Sequence, residues 1–134
     1  MSQASVQVQG ALPRVLIADD SALCRKMVRR SIADACIDCA DVCSGDEAIE
    51  AVARESSLGV PFDVVLIDYH MPGMNGHQAS AELRRLGFQG KIFGLTGDAT
   101  QERLSEFLSH GADQVFIKPI NTVELLAALQ RYKE

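Results

Sequence analysis

The sequence predicts an α/β fold: a (βα)₅ doubly wound domain whose five-stranded parallel sheet runs in the order 2-1-3-4-5. Three observations carry that prediction. Short apolar runs bounded by turn residues alternate five times with segments of helical periodicity. Most of the runs are almost continuously apolar, as strands covered on both faces are. Four of them, VLIADD, VVLID, IFGLT and VFIKP, end in groups that are expensive to bury alone: Asp19 and Asp20, Asp68, Thr96, and Lys118. In an open parallel sheet those ends meet at one edge.

The elements follow in order. Strand one covers 14–19, and helix one about 22–34, with Leu23, Met27, Val28 and Ile32 as its apolar side. Strand two, about 37–43, alternates Ile37, Cys39, Asp41, Cys43 with Asp38, Ala40, Val42, the mixed pattern of an edge strand. Helix two opens at the capping box Ser44-x-x-Glu47, packs through Ala48, Ile49 and Val52, and runs to about Ser56. Strand three, 63–68, is apolar until Asp68. The stretch YHMPGMNG, with Pro72, Gly73 and Gly76, delays helix three until Gly76. That helix uses Ala79, Leu83 and Leu86. Strand four is 91–96, and helix four about 99–109 with Leu104, Phe107 and Leu108 inward. Strand five is 114–118, and Asn121-x-x-Glu124 caps a last helix reaching about Tyr132. Right-handed crossovers place these helices on both faces, with strands one and three adjacent at the centre.

The bulk numbers fit one such domain. The chain has 134 residues, 47% hydrophobic and 5% aromatic with no Trp, so the core is aliphatic. Net charge is 13 − 18 = −5, with no basic stripe, which argues against nucleic-acid binding. No apolar run reaches the ~20 residues of a membrane span. Residues 1–13 carry no charged side chain and no signal-peptide pattern before Arg14, and read as a disordered leader or linker ahead of a domain at 14–134. Cys36-x-x-Cys39 follows a helix and enters a strand, the reverse of a redox pair's setting. The histidines, His70, His77 and His110, lie too far along the chain to complete a zinc site with it. Cys24, Cys36, Cys39 and Cys43 therefore read as reduced structural thiols, which places the chain in a reducing, cytoplasmic compartment.

The edge cluster has its own chemistry. At about 4 Å and an effective dielectric near 20, two carboxylates repel by up to about 4 kcal/mol. A divalent cation relieves that conflict, and oxygen-only ligands favour Mg²⁺, with Mn²⁺ the alternative. Lys118 can pair with Asp68 or with a phosphate oxygen, and Thr96 can donate its hydroxyl to the same oxygen. The turn ADDSALCRK has no glycine, so neither a dinucleotide fingerprint nor a P-loop is present. The site suits one phosphoryl group.

With these residues in hand, the chain resembles a response-regulator receiver domain of the CheY-like, flavodoxin-like fold. The resemblance rests on the acidic pair Asp19–Asp20, on Asp68, Thr96 and Lys118–Pro119, and on Asp68-x-x-Met71-Pro72-Gly73-Met74-Asn75-Gly76, and it covers about 14–132. It implies phosphorylation of Asp68 by a phosphohistidine on a histidine kinase or histidine phosphotransfer domain, with slow autodephosphorylation. It implies Mg²⁺ held by Asp20, Asp68 and the carbonyl of His70, with Asp19 acting through water. It implies a cis Lys118–Pro119 bond and a homodimer surface on the helix four to helix five face. His70, two residues past Asp68, and Asp98, two past Thr96, are the candidates to tune the phosphate lifetime from the rim. Where the family often carries Tyr or Phe, three residues before the lysine, this chain has Val115, and Phe116 should face the other side of the sheet. The ending HGADQVFIKPI resembles receivers of hybrid histidine kinases, which favours that context over a stand-alone regulator. Two rival classes are an interaction module with a degenerate site, against which all five site residues stand, and a small hydrolase, for which no cap-sized insertion exists.

Overall fold

The computed structural model describes residues 12–134. The expected leader therefore lies outside the described residues except for Leu12 and Pro13. The order is β1 (Arg14–Ala18), α1 (Ala22–Ile32), a 3₁₀ turn (Ala33–Ala35), β2 (Asp38–Val42), α2 (Gly45–Ser57), β3 (Val64–Asp68), α3 (Gly76–Arg85), β4 (Lys91–Thr96), α4 (Gln101–Ser109), β5 (Gln114–Ile117) and α5 (Thr122–Gln130). All pairings are parallel, and the strand order is β2-β1-β3-β4-β5, the expected doubly wound arrangement.

Strand periodicity divides the core into two layers. Leu16 and Ala18 of β1 and Val65 and Ile67 of β3 pack on one face with Phe107 and Leu83. Their neighbours Val15, Ile17, Val64 and Leu66 pack on the other with Ile32, Leu125 and Leu129. Each Val, Leu, Ile or Phe among them, fully buried, stabilises the fold by roughly 1.5–3 kcal/mol. Phe107 is seated directly on β4, where a Cβ at Gly94 would lie 2.8 Å from its ring. Val115 and Phe116 point to opposite layers.

The helices start where side-chain caps are available. Ser21, Ser44, Thr100 and Asn121 accept from backbone amides three residues on. At α2 the reciprocal arm differs from a regular capping box: Glu47 reaches one residue further back, to the Cys43 amide at 2.9 Å. Gln78 accepts from the Asn75 amide at 2.9 Å, a box the sequence reading passed over.

Four apolar assignments need correction. Leu23 and Met27 of α1 are exposed, as are Leu86 and Leu108. Only Val28 and Ile32 of α1 are buried, because Leu23 and Met27 lie roughly 140° round the helix from them, away from the sheet. Leu86 is the C-terminal cap of α3, past its last helical turn, and Leu108 shares the end of α4 with Phe107, which takes the inward position. No helix among the described residues is long and apolar enough to cross a membrane. The four cysteines are free, and burial pushes the Cys39 thiol up to about 12, which suits a structural role.

Candidate functional site

The C-terminal ends of β1 and β3 lie side by side, so their terminal carboxylates are neighbours. Beyond Ala18 the Asp19 amide donates to the Val42 carbonyl at 3.1 Å, which ties the turn to β2. Arg25 of α1 donates to the Asp19 carbonyl at 2.7 Å. The Asp19 side chain is buried and spoken for: Oδ1 accepts the Ser21 amide at 2.9 Å, and Oδ2 lies 3.2 Å from Lys118 Nζ. Asp20 is exposed beside it. Asp68 closes β3 and is 6% accessible.

Lys118 arrives from the far side. β5 is separated from β3 by β4, about 10 Å at ordinary strand spacing, so only a long side chain reaches. Its backbone amide donates to the Thr96 carbonyl at 2.8 Å, and the Lys118–Pro119 bond is cis. Its ammonium lies 2.6 Å from Asp68 Oδ1.

Carboxylate oxygens of Asp19, Asp20 and Asp68 lie within 4.8 Å of one another. At that separation two of these charges repel by roughly 3 kcal/mol at an effective dielectric of 20. Burial pushes the Asp68 carboxyl above its usual range; Lys118 pulls it back, while Asp19 and Asp20 add to the rise. For Lys118, burial acts against the ammonium, but Asp68 and Asp19 outweigh it and raise its pKa. The lysine therefore stays charged across the physiological range. Three oxygen donors with surplus negative charge form a cluster capable of coordinating a divalent metal ion.

The fold thus brings Asp19, Asp20, Asp68 and Lys118 together. Thr96 ends β4 and is buried, but its hydroxyl accepts the Asp98 amide at 3.0 Å. Among the described residues no hydrogen bond joins that hydroxyl to Asp68 or Lys118. His70 is exposed, its ring edge-on to Tyr69 at 5.0 Å. The Asp98 carboxylate accepts the Thr100 amide at 2.9 Å, which lowers its pKa.

Sequence reasoning missed the layer beside this site. Tyr69, adjacent to Asp68, is buried, stacks on His77 at 5.1 Å, and carries the Arg103 guanidinium 3.5 Å above its ring centre. Glu106 joins His77 at 3.3 Å to Arg103 at 3.4 Å. The one available signal was a tyrosine beside Asp68 in a chain with so few aromatics; nothing in the spacing pointed to Arg103.

Residues 15–130 match the family model described as the response regulator receiver domain. The two-component response regulator ORR41 of Oryza sativa subsp. japonica is 30% identical over 121 residues, which are 90% of this chain and 94% of that protein. The sensor histidine kinase RcsC of Salmonella typhi is 26% identical over 90% of this chain, which spans 12% of RcsC. The Mg²⁺ complex of the receiver domain of histidine kinase CKI1 from Arabidopsis thaliana superposes with a TM-score of 0.74 at 26% identity, covering 86% of this chain and 89% of that one.

Proposed function

The chain belongs to the response regulator receiver domain family, and from that premise we propose that Asp68 accepts a phosphoryl group from a phosphohistidine. The observation that carries this reading is the Lys118 ammonium held 2.6 Å from Asp68 with the Asp19–Asp20 pair beside it. An Asp68 oxygen attacks phosphorus, the P–N bond breaks, and its electron pair returns to the imidazole, which takes a proton. Lys118 moves from the carboxylate to the phosphoryl oxygens as charge shifts there, and the Thr96 hydroxyl donates to one of them. Asp20 and Asp68, with the His70 carbonyl and with Asp19 through water, would hold a divalent cation, Mg²⁺ by the hardness of the donors, and the ion would neutralise charge on those same oxygens.

His70 and Asp98 stand at the rim and set how fast water reaches the acyl phosphate. The partner is a histidine kinase or histidine phosphotransfer domain, and the α4 to α5 face is the surface for self-association. The likeness to receivers within RcsC and CKI1, together with Val115 on β5, supports a relay receiver of a hybrid kinase. The match to nearly all of ORR41 supports a stand-alone regulator as the second reading.

Intact mass after incubation with acetyl phosphate and Mg²⁺ tests the core of the proposal. A single phosphoryl adduct is expected, absent in Asp68→Ala; an adduct persisting in that variant overturns it. Return of the phosphoryl group to an unphosphorylated histidine phosphotransfer domain separates the contexts, since a relay receiver gives it back and a terminal regulator keeps it.

A further inference from the structure

Arg103 occupies a position that costs the fold something. It lies in the first turn of α4, where the helix dipole disfavours a cation. Its side chain is largely buried, and its Nη1 is a buried donor without a partner. Yet it is fixed from several sides. The guanidinium carbon lies over Tyr69, 3.5 Å from the ring centre, Nε is 3.4 Å from Glu106, and Nη2 is 3.7 Å from the Asp98 carboxylate. Glu106 is in turn held by His77, which stacks on the same tyrosine.

These contacts close a circuit around the site. Asp68 is bonded to Tyr69, whose ring carries Arg103. Arg103 pairs with Asp98, and the Asp98 amide donates to the Thr96 hydroxyl. The Thr96 carbonyl accepts from the Lys118 amide, and the Lys118 ammonium returns to Asp68. No aromatic stands on β5 in this layer, where Val115 packs, so Tyr69 is the aromatic that joins the end of β3 to α4.

We infer that Arg103 is a positioning residue of this site, acting through Asp98 on the Thr96 hydroxyl and seated by the Tyr69 ring; this rests on Asp68 being the phosphoacceptor. Because the hydroxyl accepts from the Asp98 amide, it can donate to a phosphoryl oxygen while keeping that bond, and its position follows the Asp98 loop that Arg103 holds. A change at Asp68 reaches Arg103 through Tyr69. Arg103 thus sets the ease with which Thr96 engages the phosphoryl group, and the first turn of α4 moves with it.

The test uses the two tyrosines and the lack of tryptophan. In a Tyr132→Phe background Tyr69 is the sole tyrosine, and its emission reports on Arg103 above it. The protein is treated with acetyl phosphate and Mg²⁺, and adduct formation, adduct decay and emission are followed together. We expect phosphorylation to change Tyr69 emission. In Arg103→Met that change is lost and the adduct decay rate shifts by about threefold or more, the effect of one part-exposed charged contact. Arg103→Lys recovers part of both. The double variant Arg103→Met with Asp98→Asn decays no differently from Asp98→Asn alone, as residues acting in series must. An adduct that forms with unchanged decay and emission in Arg103→Met overturns the inference alone, as does additivity in the double variant. Should Arg103→Met fail to fold, unchanged decay and emission in Arg103→Lys overturn it equally. No adduct in the unaltered chain overturns the phosphoacceptor reading and this inference with it.

Discussion

The Lys118 ammonium lies 2.6 Å from Asp68 Oδ1, across the width of β4. The pair is largely removed from water, and Lys118 also holds the buried Asp19 at 3.2 Å. Its removal leaves two carboxylates facing each other with only exposed Asp20 for company. Lys118→Met is expected to destabilise the protein by about 2 kcal/mol, below the usual loss for a fully buried pair because the lysine is part exposed. Urea unfolding measures this. Phosphorylation by acetyl phosphate should slow by roughly 10²-fold, the scale of losing one preorganised charge at a transition state.

Asp68 itself should behave in the opposite sense. Burial raises its folded pKa above the ordinary value of 3.8, so the native state holds the proton more tightly than the unfolded chain. Stability is therefore lost as pH rises from the ordinary carboxyl pKa through the folded one, and the deficit persists above it. Asp68→Asn cannot ionise and removes that deficit, while Lys118 keeps Asp19. In EDTA at pH 7 the variant should be more stable than the unaltered protein by about 1 kcal/mol, the size of an ordinary single-site effect. The difference should shrink as pH falls toward 4. A less stable Asp68→Asn under those conditions would show that the Lys118 contact outweighs the burial of the charge.

Divalent ions should then restore what the carboxylates cost. At ten times its dissociation constant, Mg²⁺ should stabilise the native state by about 1.4 kcal/mol by mass action. Asp20→Asn removes the charge of one of three carboxylates without touching the core, because Asp20 is exposed. Calorimetric titration should show weaker Mg²⁺ binding in that variant and a smaller shift in Tm. Equal affinity in the two proteins would exclude Asp20 as a ligand.

Much of this was legible before any coordinates. Four strands follow from short apolar runs and the edge strand from its mixed alternation, and the gathering of Asp19, Asp20, Asp68 and Lys118 follows from the doubly wound order, because strand ends at one sheet edge lie together. The apolar faces were less legible. Leu23 and Met27 form one i, i+4 pair and Val28 and Ile32 another, roughly 140° round the helix, and periodicity cannot say which of two such pairs the sheet covers. The division of labour between Asp19 and Asp20 was also hidden, since it depends on Ser21 and Lys118 taking the first and leaving the second open. The Tyr69–Arg103 contact joins a loop and a helix turn through stacking, which leaves no periodic mark in sequence.

Gly76 shows how closely the backbone is built around the site. It begins α3, its amide donates to the Tyr69 carbonyl at 2.8 Å, and a Cβ there would stand 2.3 Å from the Asp68 carbonyl oxygen and 3.0 Å from the Phe107 ring. The nearest obstacle is backbone, which cannot swing aside as a flexible side chain can. Gly76→Ala must therefore push α3 from the end of β3 or shift Asp68 itself. We expect a loss of about 2–3 kcal/mol, as for overpacking at a tight site, despite the better helix propensity of alanine. Phosphorylation should slow as well, since the displaced atoms belong to the residue that carries the acceptor carboxylate. Gly97→Ala is the comparison: a Cβ there meets nothing within 4 Å, and its stability should stay within about 0.5 kcal/mol of the unaltered protein. Equal stabilities for the two variants in urea would mean that α3 is not pinned against Asp68 as the geometry has it.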